Sequence, residues 1–374
     1  MPKLKIAYIT LLDQYHPGIY DSQVIDVIQF MNDKLDTNVR LYAFLSIKEL
    51  LNTSAKQKIK AQLSDARVLP AFPKLRWFYM TRFLLALILL WDGRKSVIAR
   101  NVFACNIALW CRKIGFVKKV ALDSRSAISA EIKEFDVFPI PYLRDNIQDL
   151  EKKSVLKSDF RLAVSHAMNV YWRKHFNYEK NEHVIIPCTL KQGLELTQPS
   201  QGKSDNISIV YAGSNAPWQG LNLIFDFLRK HPNVCCTLLT RENNTTAKMK
   251  AVLGDRLTVK WLKSGEVVKE LNRHDYGLLL RPFCDTNRVA SPGKFAEYLS
   301  AGLNIICSKE IGDYPEFIKK HKCGLIWDNE AKLELKKTVL YQKEQNIKLA
   351  QNHFLKSSIA NKEAYEKLLN TIHA

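Results

Sequence analysis

Arg288, Ser291, Lys294 and Glu297 lie close together in Asp285 to Ser308, D-T-N-R-V-A-S-P-G-K-F-A-E-Y-L-S-A-G-L-N-I-I-C-S, and their types suit a phosphorylated sugar ligand. Ser291 is expected to cap a helix with Pro292 at its first position, Phe295 and Leu299 on its apolar face and Gly302 at its end. Leu303 to Cys307 then reads as a short buried strand. A helix start offers unpaired N–H groups and the positive end of the helix dipole. Arg288 and Lys294 add side-chain charge beside it, which favours a phosphate. Glu297, further along the helix, would repel phosphate but can accept hydrogen bonds from sugar hydroxyls. One end of the stretch therefore suits a diphosphate and the other a ribose, a combination found in nucleotide-sugars.

The elements needed to hold such a site recur along the chain. Leu4 to Leu11 is a buried-strand run, followed by a loop from Asp13 to Tyr20 and a helix from about Asp21 with Val24, Ile25, Ile28 and Phe30 inward. That is the opening of a doubly wound α/β domain. Ligands of such sheets sit at the carboxyl ends of strands, which makes His16 a candidate catalytic contact and Pro17 and Gly18 candidate acceptor contacts. Val39 to Phe44, Ser96 to Ala99 and Lys119 to Leu122 read as further strands, with a helix at Asn106 to Lys113. Lys191 to Asn206, rich in Gln, Gly, Ser and Lys, reads as a linker. Beyond it, I-S-I-V-Y-A alternates as a strand into Gly213, followed by a helix carrying Leu223, Ile224, Phe227 and Leu228. Cys235 to Thr240, Leu257 to Leu262 and Tyr276 to Arg281 are the next strands, and Leu335 onward reads as helical and lysine-rich. The expected organisation is a first domain over 1–190, a linker over 191–206, a second over 207–345 and a helical tail over 346–374.

At 374 residues and 47% hydrophobic content, the chain can bury two cores at about 100 to 200 residues per domain. A net charge of +19 calls for an anionic partner: nucleic acid, acidic lipid or a phosphorylated substrate. No zinc finger or RNP strand is present, so nucleic acid is not expected. Met1 to Ile9 lacks the apolar core of a signal peptide, and the eight cysteines form no C-x-x-C pair, which suits a reduced cytoplasmic protein. No metal-ligand set and no Asp-x-Asp pair occurs, so no metal is expected. Residues 51–100 hold ten Lys or Arg against two Asp. Within them Trp77 to Trp91, W-F-Y-M-T-R-F-L-L-A-L-I-L-L-W, is shorter than the roughly 20 residues of a membrane span and contains Arg82. It reads either as a core helix or as a helix lying on an anionic bilayer with basic flanks at the headgroups.

S-P-G-K-F-A-E-Y-L-S-A-G-L-N-I-I resembles the donor-site segment of retaining glycosyltransferases with the GT-B fold, in the family 4-like group that builds bacterial surface polysaccharides. V-S-x-x-M and I-I-P-C resemble the last strands of that fold's first domain. The resemblance implies two Rossmann-like doubly wound domains facing a cleft, with the C-terminal helix crossing back to the first domain. Two glutamates often stand eight positions apart in this group; Glu297 matches the second, and Val289 holds the place of the first. The turn Gly213, Ser214, Asn215, Gln219 is where donor phosphates lie in similar enzymes, which often carry Arg and Lys at the places of Ser214 and Gln219. The positive charge is then expected from Arg241, Arg281, Arg288 and Lys294, with Arg288 first because it lies nearest the helix start. Leu262 opens the turn where the resemblance sets the nucleobase. Asp123 and Arg125 stand in the loop that meets the transferred sugar, where many members carry histidine.

The expected function is transfer of a sugar from a nucleotide-diphosphate sugar to a growing, lipid-linked polysaccharide or oligosaccharide such as O-antigen or capsule. Retention is implied by the resemblance alone. Such a protein would be cytoplasmic and peripheral on the inner face of the membrane. A polymerase transferring a phosphorylated polyol unit, a nucleotide-sugar epimerase and a non-catalytic nucleotide-sugar-binding partner subunit remain open alternatives.

Overall fold

The computed structural model describes residues 3–11, 15, 17–51, 53–72, 78–136, 141–193 and 206–373. The chain divides into two compact units, Met1–Gln192 with Ile359–Ala374, and Gly193–Ser358. The first holds a parallel sheet of β1 (Leu4–Leu11), β2 (Thr37–Ser46), β3 (Arg67–Ala71), β4 (Ser96–Arg100), β5 (Lys119–Asp123), β6 (Phe160–Ala163) and β7 (His183–Ile185), in the order β3-β2-β1-β4-β5-β6-β7. Ile6 to Leu11 are buried without alternation, as expected of a parallel strand covered on both faces. β1 pairs Ile6 with Val39 on one side and with Ser96 on the other.

The second unit holds β8 (Ile207–Ala212), β9 (Val234–Leu239), β10 (Leu257–Lys260), β11 (Tyr276–Leu279), β12 (Asn304–Ser308) and β13 (Gly324–Trp327), all parallel, in the order β10-β9-β8-β11-β12-β13. Its core gathers Ile209, Tyr211, Phe227, Leu238, Leu278, Ile306 and Trp327. Each sheet reverses its winding direction once, between β1 and β4 in the first unit and between β8 and β11 in the second. The expected strands all form, with ends shifted by at most three residues. β3 and β13, which were not expected, are edge strands and only partly buried. Pro70 within β3 fits an edge position, because proline has no N–H for a second neighbour.

The helix expected from about Asp21 begins earlier, at Pro17–Tyr20, and continues through the π-helical turn Asp21–Ile25 into Asp26–Lys34. Val24, Ile25, Ile28 and Phe30 are buried as expected. The tail expected over 346–374 is corrected. The helix Leu340–Phe354 belongs to the second unit, where Lys343 Nζ donates to the carbonyls of Asn272 and His274, both at 2.9 Å, and Asn346 Nδ2 donates to the Leu303 carbonyl at 3.0 Å. Residues 335–339, also expected to be helical, precede it as irregular chain. Only the helix Ile359–Ile372 joins the first unit, placing Tyr365, Leu368, Leu369 and Ile372 in its core and accepting a 2.6 Å bond from Ser96 Oγ at the Ile372 carbonyl. No helix among the described residues is long and apolar enough to cross a membrane.

Candidate functional site

β8 and β11 pair only through Tyr276 with Ile209 and Gly277 with Val210, and they separate toward their carboxyl ends. Tyr298 fills the gap. Its hydroxyl accepts from the Ala212 N–H at 3.0 Å and donates to the Leu278 carbonyl at 3.3 Å, and its ring lies where a side chain at Gly277 would collide. This is the switch point of the sheet, the place where doubly wound folds take ligands.

The loops above it bring Gly213, Gln219, Arg281 and Lys294 together. Lys294 Nζ donates to Gln219 Oε1 at 2.7 Å and lies 4.3 Å from the centre of the Tyr211 ring. The Arg281 guanidinium donates to the same Gln219 oxygen at 3.3 Å and to Asn287 Oδ1 at 3.2 Å. Gly220 turns the chain so that Gln219 faces them, at φ 70°, and a Cβ there would stand 2.6 Å from the Leu280 carbonyl. Among the described residues, neither cation forms an ion pair with a carboxylate; both converge on one neutral amide oxygen. Burial drives the Lys294 pKa well below its ordinary value, the Arg281 charge pushes the same way, and Glu297 opposes them. Burial also lowers the Arg281 pKa. Arg281 is buried and Lys294 half-buried, and two crowded like charges with no ion-paired carboxylate among the described residues form a site that an anion would complete.

The helix beside this cluster runs Gly293–Ser300 with Phe295, Tyr298 and Leu299 buried. The expected caps are corrected. Pro292 is the N-cap and no side chain caps the helix, while the Ser291 hydroxyl lies 2.8 Å from that of Tyr314. A Ser291 committed to Tyr314 leaves the helix start open, which suits an incoming acceptor oxygen. Phe295 stacks on Tyr314 with ring centres 3.8 Å apart, fixing the helix against its neighbour. Glu297, three residues from Lys294, is exposed; crowding by protein raises its carboxyl pKa and Lys294 opposes the rise. Val289 is fully buried.

Arg288, the first choice from the sequence, does not join the cluster. Its guanidinium pairs with Asp285 at 2.7 Å and Glu310 at 3.1 Å, and it lies 4.7 Å from the Phe283 ring centre. Two carboxylates already neutralise it. Arg241 lies 4.8 Å from the ring centre of exposed Trp261, next to half-buried Leu262 on the loop after β10. Asn215 ties the loops after β8 and β9 together, donating to the Arg241 carbonyl at 2.9 Å and accepting from Thr240 Oγ1 at 2.8 Å. The Ser214 carbonyl accepts from the Tyr211 hydroxyl at 2.7 Å. Tyr211 and Trp261 were not singled out from sequence; an aromatic near the carboxyl end of a strand was the available signal.

In the first unit, Asp123 at the end of β5 is buried and occupied. Tyr8 donates to its Oδ2, Arg125 Nε stands 2.6 Å from its Oδ1, and Arg100 approaches to 3.8 Å. The Tyr8 pKa is pushed well above its ordinary value by burial first and by the Asp123 charge second. Burial works against the Arg125 charge, but Asp123 outweighs it and the Arg125 pKa is raised. Asp123 and Arg125, expected to be catalytic, thus stand in a buried cluster that joins β1, β4 and β5 through Tyr8, Arg100 and Asp123. His16 lies outside the described residues. Pro17 and Gly18 stand in the first turn of a helix rather than in a loop, with Gly18 exposed. At the β1/β4 switch point Asn101 adopts φ 68°, donates to the Leu11 carbonyl at 2.8 Å and accepts from the Ala104 N–H at 3.0 Å. Among the described residues no group of three or more His, Cys, Asp or Glu could hold a metal ion.

Gly213 separates function from stability. A Cβ there would stand 2.0 Å from Lys294 Nζ, the end of a flexible side chain that can swing aside, and 2.9 Å from the hydroxyl of buried Tyr211, which has to give by only a few tenths of an ångström. Gly213→Ala is expected to leave the unfolding temperature nearly unchanged while weakening anion binding roughly 10- to 100-fold, the worth of one displaced charge-assisted hydrogen bond. Calorimetric titration with a nucleoside diphosphate measures it.

No protein-family model matches the sequence, and no curated protein matches it. Solved structures do match along the whole chain. A glycosyltransferase from Rickettsia africae superposes with a TM-score of 0.72 at 14% identity, covering 100% of this chain and 99% of that one. Sucrose-phosphate synthase from Thermosynechococcus elongatus gives 0.67 at 13% identity, over 98% and 100%. Anabaena HepE in complex with UDP and glucose gives 0.68 at 13% identity, over 98% and 100%. At these identities the likeness is one of fold, and the fold is GT-B: two Rossmann-like units, each built on a parallel sheet.

Proposed function

We propose that this GT-B chain is a glycosyltransferase that holds a nucleoside-diphosphate sugar in its second unit and moves the sugar to an acceptor. The convergence of Arg281 and Lys294 on Gln219 Oε1, above the β8/β11 switch point and with no ion-paired carboxylate among the described residues, carries the reading. A diphosphate bridging the two cations and the open start of the Gly293–Ser300 helix would regain the charge stabilisation that burial removes. The same groups would stabilise the diphosphate as it leaves. Glu297, on the next turn, would accept hydrogen bonds from the ribose hydroxyls, and Leu262 with its neighbours would border the base. The fold relatives support the donor class, since HepE is described in complex with UDP and glucose. The finer reading adds a lipid-linked bacterial oligosaccharide or polysaccharide acceptor, such as O-antigen or capsule, contacted near Pro17 and Gly18, with retention of anomeric configuration.

Thermal unfolding against UDP, GDP, CDP and dTDP tests this first. A ligand at 100 times its dissociation constant adds about 2.7 kcal/mol to the folded state, which raises the unfolding temperature by several degrees. One nucleotide is expected to do so in the wild type and to lose the effect in Lys294→Met. No shift with any nucleotide would sink the donor assignment. One observation favours a second reading. Val289 buries an apolar side chain where the resembling group often carries a glutamate, which suits a partner subunit that binds the donor without turnover. Nucleotide binding without sugar transfer to any acceptor would select that reading.

A further inference from the structure

The helix Phe78–Trp91 belongs to the first unit and is only half covered. Leu85, Ala86 and Leu89 are buried beneath it, whereas Met80, Phe83, Leu87, Leu90 and Trp91 are each more than half exposed, Trp91 at 87%. Their spacing places the exposed set along one side of a helix about 20 Å long. Isolated exposed apolar residues are ordinary, but a continuous stripe of five marks a surface that meets something other than water.

The surroundings state the charge of the partner. The helix contains no acidic residue, and Asp92 just after it is withdrawn, its side chain 4% exposed and held by Arg40, Arg67 and Tyr42. Phe83 packs edge-on against Trp110 with ring centres 5.0 Å apart, which brings up the end of the helix Asn101–Lys113, where Lys113 and Ile114 are exposed. The charges of Arg82 and Lys113 both reach exposed Lys153 and help lower its pKa, behind the effect of its partial burial. An apolar stripe beside a basic cluster matches an anionic bilayer, with rings and aliphatic groups at the acyl boundary and ammonium groups among the headgroups.

We propose that this face docks the protein on the surface of an anionic lipid bilayer without crossing it. Met80, Phe83, Leu87, Leu90 and Trp91 enter the interface, while Arg82, Lys113 and Lys153 hold the headgroups. The proposal goes beyond the transfer reaction and does not depend on it, since binding to lipid needs neither donor nor acceptor.

The full chain is sedimented with vesicles of phosphatidylcholine alone and of phosphatidylcholine with one third phosphatidylglycerol, at low and high salt. The wild type is expected to bind the anionic vesicles, more weakly at high salt, and to leave the neutral ones. Leu87→Asp/Leu90→Asp is expected to lower binding at least tenfold, and Lys113→Glu/Lys153→Glu to remove its salt-sensitive part. Both variants should keep the wild-type unfolding temperature and its nucleotide-induced shift, so failure here is distinguishable from failure of the donor site. Wild-type protein that stays free of anionic vesicles, or variants that bind as well as wild type, would overturn the proposal. So would a wild-type dimer that Leu87→Asp/Leu90→Asp splits while vesicles remain unbound, which would assign the face to a second copy of the chain.

Discussion

Lys294→Met and Arg281→Ala are each expected to lower kcat/KM for sugar transfer by about 10²- to 10³-fold, the range seen when a preorganised donor to developing negative charge is removed. The free protein should not pay for it. Lys294 has a pKa depressed in the folded state, so folding weakens its hold on the proton, and its charged form costs stability at every pH below the unfolded value. Methionine keeps the stem over Tyr211 and removes that cost. Lys294→Met should therefore unfold at or above the wild-type temperature without ligand, yet lose the stabilisation by nucleotide, a trade of stability for function. Arg288→Ala is the contrast. Its guanidinium is already held by Asp285 and Glu310, so activity should stay within about threefold of wild type, since an exposed pair is worth about 1 kcal/mol or less. Full activity in Lys294→Met, or loss of activity in Arg288→Ala, would move the phosphates away from Gln219.

Asp123→Ala is expected to destabilise the first unit by about 3 to 5 kcal/mol, because it leaves the Arg125 and Arg100 charges and the Tyr8 hydroxyl buried around a missing carboxylate. At roughly 2 to 4 °C per kcal/mol for a domain of this size, the unfolding temperature should fall by about 10 °C. Asp123→Asn, which keeps the shape and loses the charge, should fall in the same direction. A catalytic aspartate would behave in the opposite way, with activity gone and the unfolding temperature kept. Differential scanning calorimetry beside a transfer assay separates the two.

Much of the fold was legible because it rests on patterns within single segments. Leu4 to Leu11 and Ile207 to Ala212 carry apolar or alternating runs that strands in a covered sheet explain, and both form. Arg67–Ala71 and Gly324–Trp327 were missed because their apolar runs, Val68–Leu69 and Leu325–Trp327, are too short to stand out within their segments. The chain between Leu335 and Leu340 read as helix through its composition, but tertiary bonds hold part of it extended, such as the Thr338 N–H to Asp275 at 3.1 Å.

The site divides along the same line. The sequence by itself determined that a glycine ends β8, that a helix follows near Lys294, and that arginines and a lysine lie within reach of both. Residue types and local spacing are enough for that. Which cations meet was decided only by the tertiary structure. Arg288, Arg281 and Lys294 are alike in charge and close in sequence, but Asp285 and Glu310 neutralise the first, while the parting of β8 and β11 sets the other two against Gln219, 62 and 75 residues away from it along the chain. Asp123 and Arg125 show the converse. Two residues apart, they read as a reactive pair, and the fold adds Tyr8 from β1 and Arg100 from β4 around the carboxylate. The availability of a charge depends on its partners, and partners distant along the chain are fixed by the fold.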